Sequence, residues 1–248
     1  MNDTTPPPVI PGDPLRPATS GPGVALGELA EDRMPVTSLL SAIEAILRQP
    51  RRILFQLRQS GAGRVILLLC FLSLGCSLIY GLVVGSFSMG TQLWAAPVKI
   101  AGGLLFATAI CLPSLYIFAC LSGSQARLIE IIGLVCGLVS LMCILLVGFA
   151  PVAWLFSQST ASACWMGALH LLFCLVATLF GLRFLSSGFA HSRARSNAGL
   201  VTWAIMFVLV MLQMTTALRP IVGQGDTFFP EEKKFFLKHW GDCLRQAQ

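Results

Sequence analysis

Charged side chains are scarce in this chain of 248 residues. They make up 11% of it, against roughly a quarter in a typical soluble domain. Carboxylates are rarer still through the middle, where Glu130 is the one acid of 11 between Val65 and Leu218. A soluble enzyme does not fit this shortage. Also missing are CxxC spacing, a phosphate-binding glycine loop, an HExxH helix and a Ser, His and Asp set placed for hydrolysis. These absences weigh against an enzyme of any kind, so no catalytic residue, no cofactor and no metal ligand set is expected.

What the chain has instead is apolar length. Hydrophobic residues account for 55% of it, and five runs are each near the 20 residues needed to cross a hydrocarbon core of about 30 Å. They cover Val65 to Ser86, Val98 to Leu121, Ile131 to Ala150, Ala163 to Leu182 and Leu200 to Leu218. Short connections at 87–97, 122–130, 151–162 and 183–199 join them. Lipid offers no hydrogen bonds to a bare backbone, so each run should be a helix. The fold expected is all-α and integral to a membrane, a five-helix transmembrane bundle over residues 65–218. Cys70, Cys76, Cys111, Cys120, Cys136, Cys143, Cys164 and Cys174 lie within the runs and read as small hydrophobes. Cys243 alone lies in a polar stretch, either free or paired between chains.

Residues 1–36 hold eight of the 14 prolines, among them Pro6, Pro7 and Pro8, and no apolar period. A disordered proline-rich cytoplasmic arm is expected there, not a signal peptide. Pro11, Pro14 and Pro17 recur every third residue, the period of a polyproline helix, which leaves a groove-binding ligand as the other reading. From Thr37 the pattern turns helical. Leu39, Leu40, Ile43, Ile46 and Leu47 precede Pro50, and Ile53, Leu54 and Leu57 follow it opposite Arg51, Arg52 and Arg58. Residues 37–64 therefore read as a basic amphipathic segment of two short helices on the membrane surface. A helix pair packed on a partner protein is the rival reading. At residues 219–248, Pro230, Glu231 and Glu232 open a helix in which Phe236, Trp240 and Leu244 share a face, giving a short extracytoplasmic amphipathic tail.

The net charge of +6 hugs the edges of the runs. The implied partners are the lipid bilayer and anionic lipid at the cytoplasmic face, with no nucleic acid. Arg48, Arg51, Arg52, Arg58 and Arg64 precede the first run, Arg127 lies in the second connection, and Arg183, Arg193 and Arg195 flank the fourth. The first and third connections have no Lys or Arg. The positive-inside rule then places the N-terminus in the cytoplasm and the C-terminus outside. On that orientation Trp94, Trp154 and Trp165 fall at the outer interface and Trp203 at the inner one, as an aromatic belt requires.

Few side chains within the runs suggest chemistry. Lys99 sits at the lip of the second run, where its stem can carry the amine outward. Arg127 and Glu130 either pair at the start of the third run or meet headgroups. His170 has Cys174 one turn on, but with no second His or carboxylate at depth the pair is an incomplete ligand set, and an interhelical hydrogen bond is expected of the imidazole. Two GxxxG pairs, Gly81 with Gly85 and Gly133 with Gly137, are expected to pack helices within the chain. Pro113 should kink the second run by freeing the carbonyl near Ala109. Gln213, Thr215 and Thr216 read as polar contacts between helices, with Gln92 and Gln158 near enough in sequence position to join them.

Two stretches carry a resemblance: APVKIAGGLLFATAICLPSLY over residues 96–116, and QMTTALRPIVG over 213–223, with Gln213, Arg219, Pro220 and Gly223. They resemble an uncharacterised class of bacterial multi-pass inner-membrane proteins. The five-span layout with its N-terminus inside is similar to that of Yip1-like proteins. The resemblance covers about residues 60–230. It implies topology and a bacterial cell inner membrane, with no activity and no site residue.

A non-catalytic membrane protein that organises or binds other membrane components, including copies of itself, fits these features. The alternative is a small transporter or channel component with a polar path near Lys99, Pro113 and Gln213. A membrane enzyme comes third and would need His170, Glu130 and Cys174 to converge.

Overall fold

A computed structural model describes residues 26–86, 92–159, 163–190 and 198–217. Among these the chain is all helical: a 3-10 turn at Ala30–Arg33 precedes α1 (Leu39–Arg48), α2 (Pro50–Leu57), α3 (Ala62–Ser86), α4 (Gln92–Leu121), α5 (Leu128–Ser159), α6 (Ala163–Ala190) and α7 (Ala198–Ala217). The last five are long and apolar enough to cross a membrane. The 25 residues of α3 rise about 37 Å, more than the thickness of a hydrocarbon core.

The observed helices overrun the expected runs chiefly at their ends. α4 begins at Gln92 rather than Val98, with Pro97 inside it, and α5 continues through Pro151 to Ser159. A proline inside a helix loses one N–H bond and crowds the carbonyl four residues back. That is enough to end a sequence pattern, but here it does not end either helix. Most of the expected 151–162 connection is therefore helix.

Local signals place the turns. Ser38 caps α1, its hydroxyl accepting from the Ser41 N–H while Ser41 Oγ accepts from the Ser38 N–H, a reciprocal box. Pro50 takes the first turn of α2, where its missing N–H costs nothing. α4 stops at a Schellman motif. Gly123 adopts φ +72°, and the Gly123 and Ser124 N–H groups donate to the Cys120 and Ala119 carbonyls, both at 3.0 Å.

α5 is the central helix, with 67% of its apolar window buried in protein, whereas α7 at the edge has 17%. α3 packs mainly on α4 and α5, α6 on α5, and α7 on α4. Glycines set the closest approaches. A Cβ at Gly81 would lie 2.3 Å from the Pro97 backbone of α4, and one at Gly137 would lie 2.4 Å from Phe184 of α6. Gly133 has Leu57 of α2 against it. At these three positions the GxxxG glycines pack within the chain, as expected.

α1 and α2 close one end of the bundle, called basal here, where α3 and α5 start and α6 finishes. One side of each packs on the bundle and puts Ala42, Ala45, Ile46, Ile53, Leu54 and Leu57 in the core, while Leu39, Leu40 and Leu47 of the face expected to rest on lipid stay exposed. Residues 26–36 fall within the arm expected to be disordered, yet they form an ordered strap on α2. Arg52 donates to the Met34 and Pro35 carbonyls, both at 2.8 Å, Gln56 also donates to Met34, and the Val36 N–H donates to Gln56. Asp32, 3% exposed, accepts from the Gly27 N–H and pairs with Arg51 at 3.4 Å. Periodicity could not reveal this strap, because it is held by side-chain bonds to carbonyls. The first 25 residues and the expected tail at 219–248 lie outside the described residues.

Candidate functional site

Hydroxyls within the spans are turned back onto their own helices. Ser73, Ser77, Ser86 and Ser114 donate to carbonyls three residues earlier, and Thr108, Thr178 and Thr202 to carbonyls four earlier, all within 3.0 Å. Such bonds satisfy the hydroxyl without lining a path. Between them the buried interior is built of Leu, Ile, Val, Ala, Met and Phe. Ser140 is an exception that joins two helices, donating from α5 to the Leu69 carbonyl of α3 at 2.8 Å.

Against that apolar background, polar groups gather towards the end opposite the cap. Tyr80 of α3 and His170 of α6 meet edge to face with ring centroids 5.7 Å apart, and the Tyr80 hydroxyl lies 2.7 Å from His170 Nδ1. The imidazole so makes the interhelical bond expected of it. With Tyr80 donating to Nδ1, the remaining ring proton sits on Nε2. The reverse arrangement would leave the phenol proton and the Nε2 lone pair both unmet in an apolar surround, a costlier choice. Nε2 is buried and has no hydrogen-bond partner among the described residues. Cys174 stands one turn on from His170, and its carbonyl accepts from the Thr178 hydroxyl at 2.7 Å. Tyr80 was not singled out in the sequence. The available signal was its place near the far end of its run, at the depth of His170.

Lys99 departs most from expectation. It is not at the start of a span, because α4 begins at Gln92, seven residues earlier. At 2% exposure it is among the largest fully buried side chains. Lys99, His170, Tyr80 and Gln213 all lie about 6–11 Å along their helices from the far ends. Gln213 is half-buried, and the Thr215 hydroxyl turns back to Leu212. Gln158 does not join this level: it is exposed and donates to the adjacent Ser157 at 3.4 Å. Pro113 is exposed on the outer surface of α4, so Lys99, Pro113 and Gln213 do not line one interior path.

At the basal end Arg127 and Glu130 pair at 3.4 Å, with Arg127 largely exposed. Glu130 is thus at the opposite end of the bundle from His170 and Cys174, so the three groups that an enzyme would need do not converge. Among the described residues no three His, Cys, Asp or Glu side chains gather in a way that could hold a metal ion. Trp94, Trp154 and Trp165 are exposed near the far ends of α4, α5 and α6. Trp203 does not face an interface. It is fully buried, stacks on Phe207 with centroids 5.0 Å apart, and donates from Nε1 to the Cys111 carbonyl at 2.8 Å. That carbonyl lies two residues before Pro113 and also accepts from the Ser114 hydroxyl at 2.8 Å. Cys243, Arg219, Pro220 and Gly223 lie outside the described residues.

No family model matches this sequence, and no curated protein and no solved structure matches it either.

Proposed function

We propose that this membrane-spanning helical protein is a non-catalytic organiser, which binds other membrane components through its basal cap and the outer faces of its helices. One observation carries the reading: most span hydroxyls are spent on their own helices, and apart from Lys99, Ser140 and the Tyr80–His170 pair the interior between them is apolar, which leaves no continuous polar route among the described residues. The cap supplies a surface of the matching kind. Leu39, Leu40 and Leu47 of α1 are exposed beside Arg48, and Arg58 and Arg64 are exposed close by. Apolar and basic side chains together suit the interface of a bilayer with anionic lipid.

The setting belongs to the proposal as well. Basic residues near the ends of α3, α4 and α6 favour a cytoplasmic basal end, and the likeness of residues 96–116 and 213–223 to bacterial multi-pass proteins, with its Yip1-like layout, favours a bacterial inner membrane. Crosslinking in native membranes, followed by mass spectrometry of what co-purifies, tests the role. The expected result is a reproducible set of membrane proteins whose yield drops when Leu40 and Leu47 are both changed to Ser. Recovery of the chain alone, or solute uptake by vesicles containing only this protein, would overturn it.

A further inference from the structure

Cys70 of α3 and Cys136 of α5 bring their sulfurs to 3.6 Å. The two helices run parallel, and each cysteine lies eight residues past its helix start, about 12 Å along the axis, so the pair is level. Its register is held from both sides. Ser140, one turn on from Cys136, is bonded to the carbonyl of Leu69, the residue next to Cys70. Cys70 is exposed, and it opens on the outer surface among Leu67, Phe71 and Leu74, which are exposed too. Among the other described thiols Cys111 and Cys143 are buried, Cys76 and Cys174 half-buried, and Cys120 exposed.

A dithiol at this place has an unusual set of reaction partners. A disulfide needs its sulfurs about 2.05 Å apart. The sulfurs at 3.6 Å are therefore about 1.5 Å from bonding distance. Charged reductants and oxidants of the aqueous phase do not enter hydrocarbon, because the cost of burying a charge there is prohibitive. The agent that reaches Cys70 must be uncharged and soluble in lipid, and a quinone, which takes up two electrons and two protons together, meets both conditions.

We propose that Cys70 and Cys136 form an oxidisable pair read by the membrane quinone pool, whose closure staples α3 to α5. In the reaction the two S–H bonds break and one S–S bond forms. The two electrons and two protons released pass to the quinone, which becomes the quinol.

The test uses the full chain in native membranes incubated with a short-chain quinone. A lipid-soluble maleimide then blocks the remaining thiols, and peptides are mapped by mass spectrometry. The expected result is loss of both free-thiol peptides and appearance of a peptide joining Cys70 to Cys136, reversed by an uncharged dithiol reductant in excess. Cys70→Ser and Cys136→Ser should each abolish the joined peptide, and in each the surviving thiol should take up maleimide. Copper phenanthroline checks whether the sulfurs can meet at all. If it fails to join them while both react with maleimide, the geometry is refuted. If it succeeds and the quinone does not, or if the quinone adds covalently to Cys70, the assignment to the quinone pool is refuted.

Discussion

α5 and α7 are both apolar enough to span a bilayer, and they are used in opposite ways. α5 is enclosed by α3, α4, α6 and the cap, whereas α7 lies along α4 with most of its surface facing outward. Apolar character therefore distinguishes membrane from water without distinguishing centre from edge. In lipid, burying a leucine against a neighbour gains little transfer energy, so position follows from packing and from the small residues that allow it. α5 has Gly133, Gly137 and Ser140 along its contact faces. α7 depends on Gly199, set against Phe118 and Ser122, and on Trp203.

The contrast can be broken most forcefully at the centre. Gly137→Leu puts a side chain where even a Cβ would stand 2.4 Å from Phe184, and overpacking of this kind costs about 1–3 kcal/mol. Thermal unfolding in detergent micelles should show a cooperative loss of the entire bundle at lower temperature. At the edge, Trp203→Ala removes the main attachment of α7. In water such a truncation costs about 3–5 kcal/mol, but without the transfer contribution about 2 kcal/mol is expected. Hydrogen exchange should then rise over residues 198–217 while α5 stays protected, and an equal rise in α5 would erase the distinction between the two helices.

Smaller changes sharpen the comparison. Trp203→Phe keeps an aromatic ring for stacking on Phe207 and loses the bond to Cys111, so about 1 kcal/mol should go, detected as a smaller rise in exchange confined to α7. Ser140→Ala removes the α5 to α3 hydroxyl bond, and interhelical bonds of this type average about 0.6 kcal/mol in membranes. Its unfolding midpoint should move less than that of Gly137→Leu, with the difference measurable in the same micelles.

The five spans were legible because lipid imposes one rule on them all, a helix of about 20 apolar residues. What escaped reading had a tertiary cause. Pro151 resembles a helix end, and only the continued helical path to Ser159 shows otherwise. Trp203 has the composition of a belt residue, and it is buried because the Cys111 carbonyl and Phe207 are placed to receive it. Lys99 resembles a snorkelling amine, and its burial comes from neighbours packed on α4 that its local sequence does not name. At the site, His170 was visible as a lone imidazole in a span, while its partner Tyr80 is 90 residues away and belongs to a helix with no periodic signal linking the two. The strap at residues 26–36 was hidden for a similar reason, since Asp32 and Arg52 look like solvated charges until α2 is folded against them.

The account rests on lipid being the solvent of α3 to α7. Size-exclusion chromatography of the purified chain after detergent removal tests this most directly, run once in plain buffer and once with lipid nanodiscs supplied. Aggregation in the first and a discrete helical particle in the second is the predicted outcome. A monodisperse, fully helical monomer in plain buffer would contradict it.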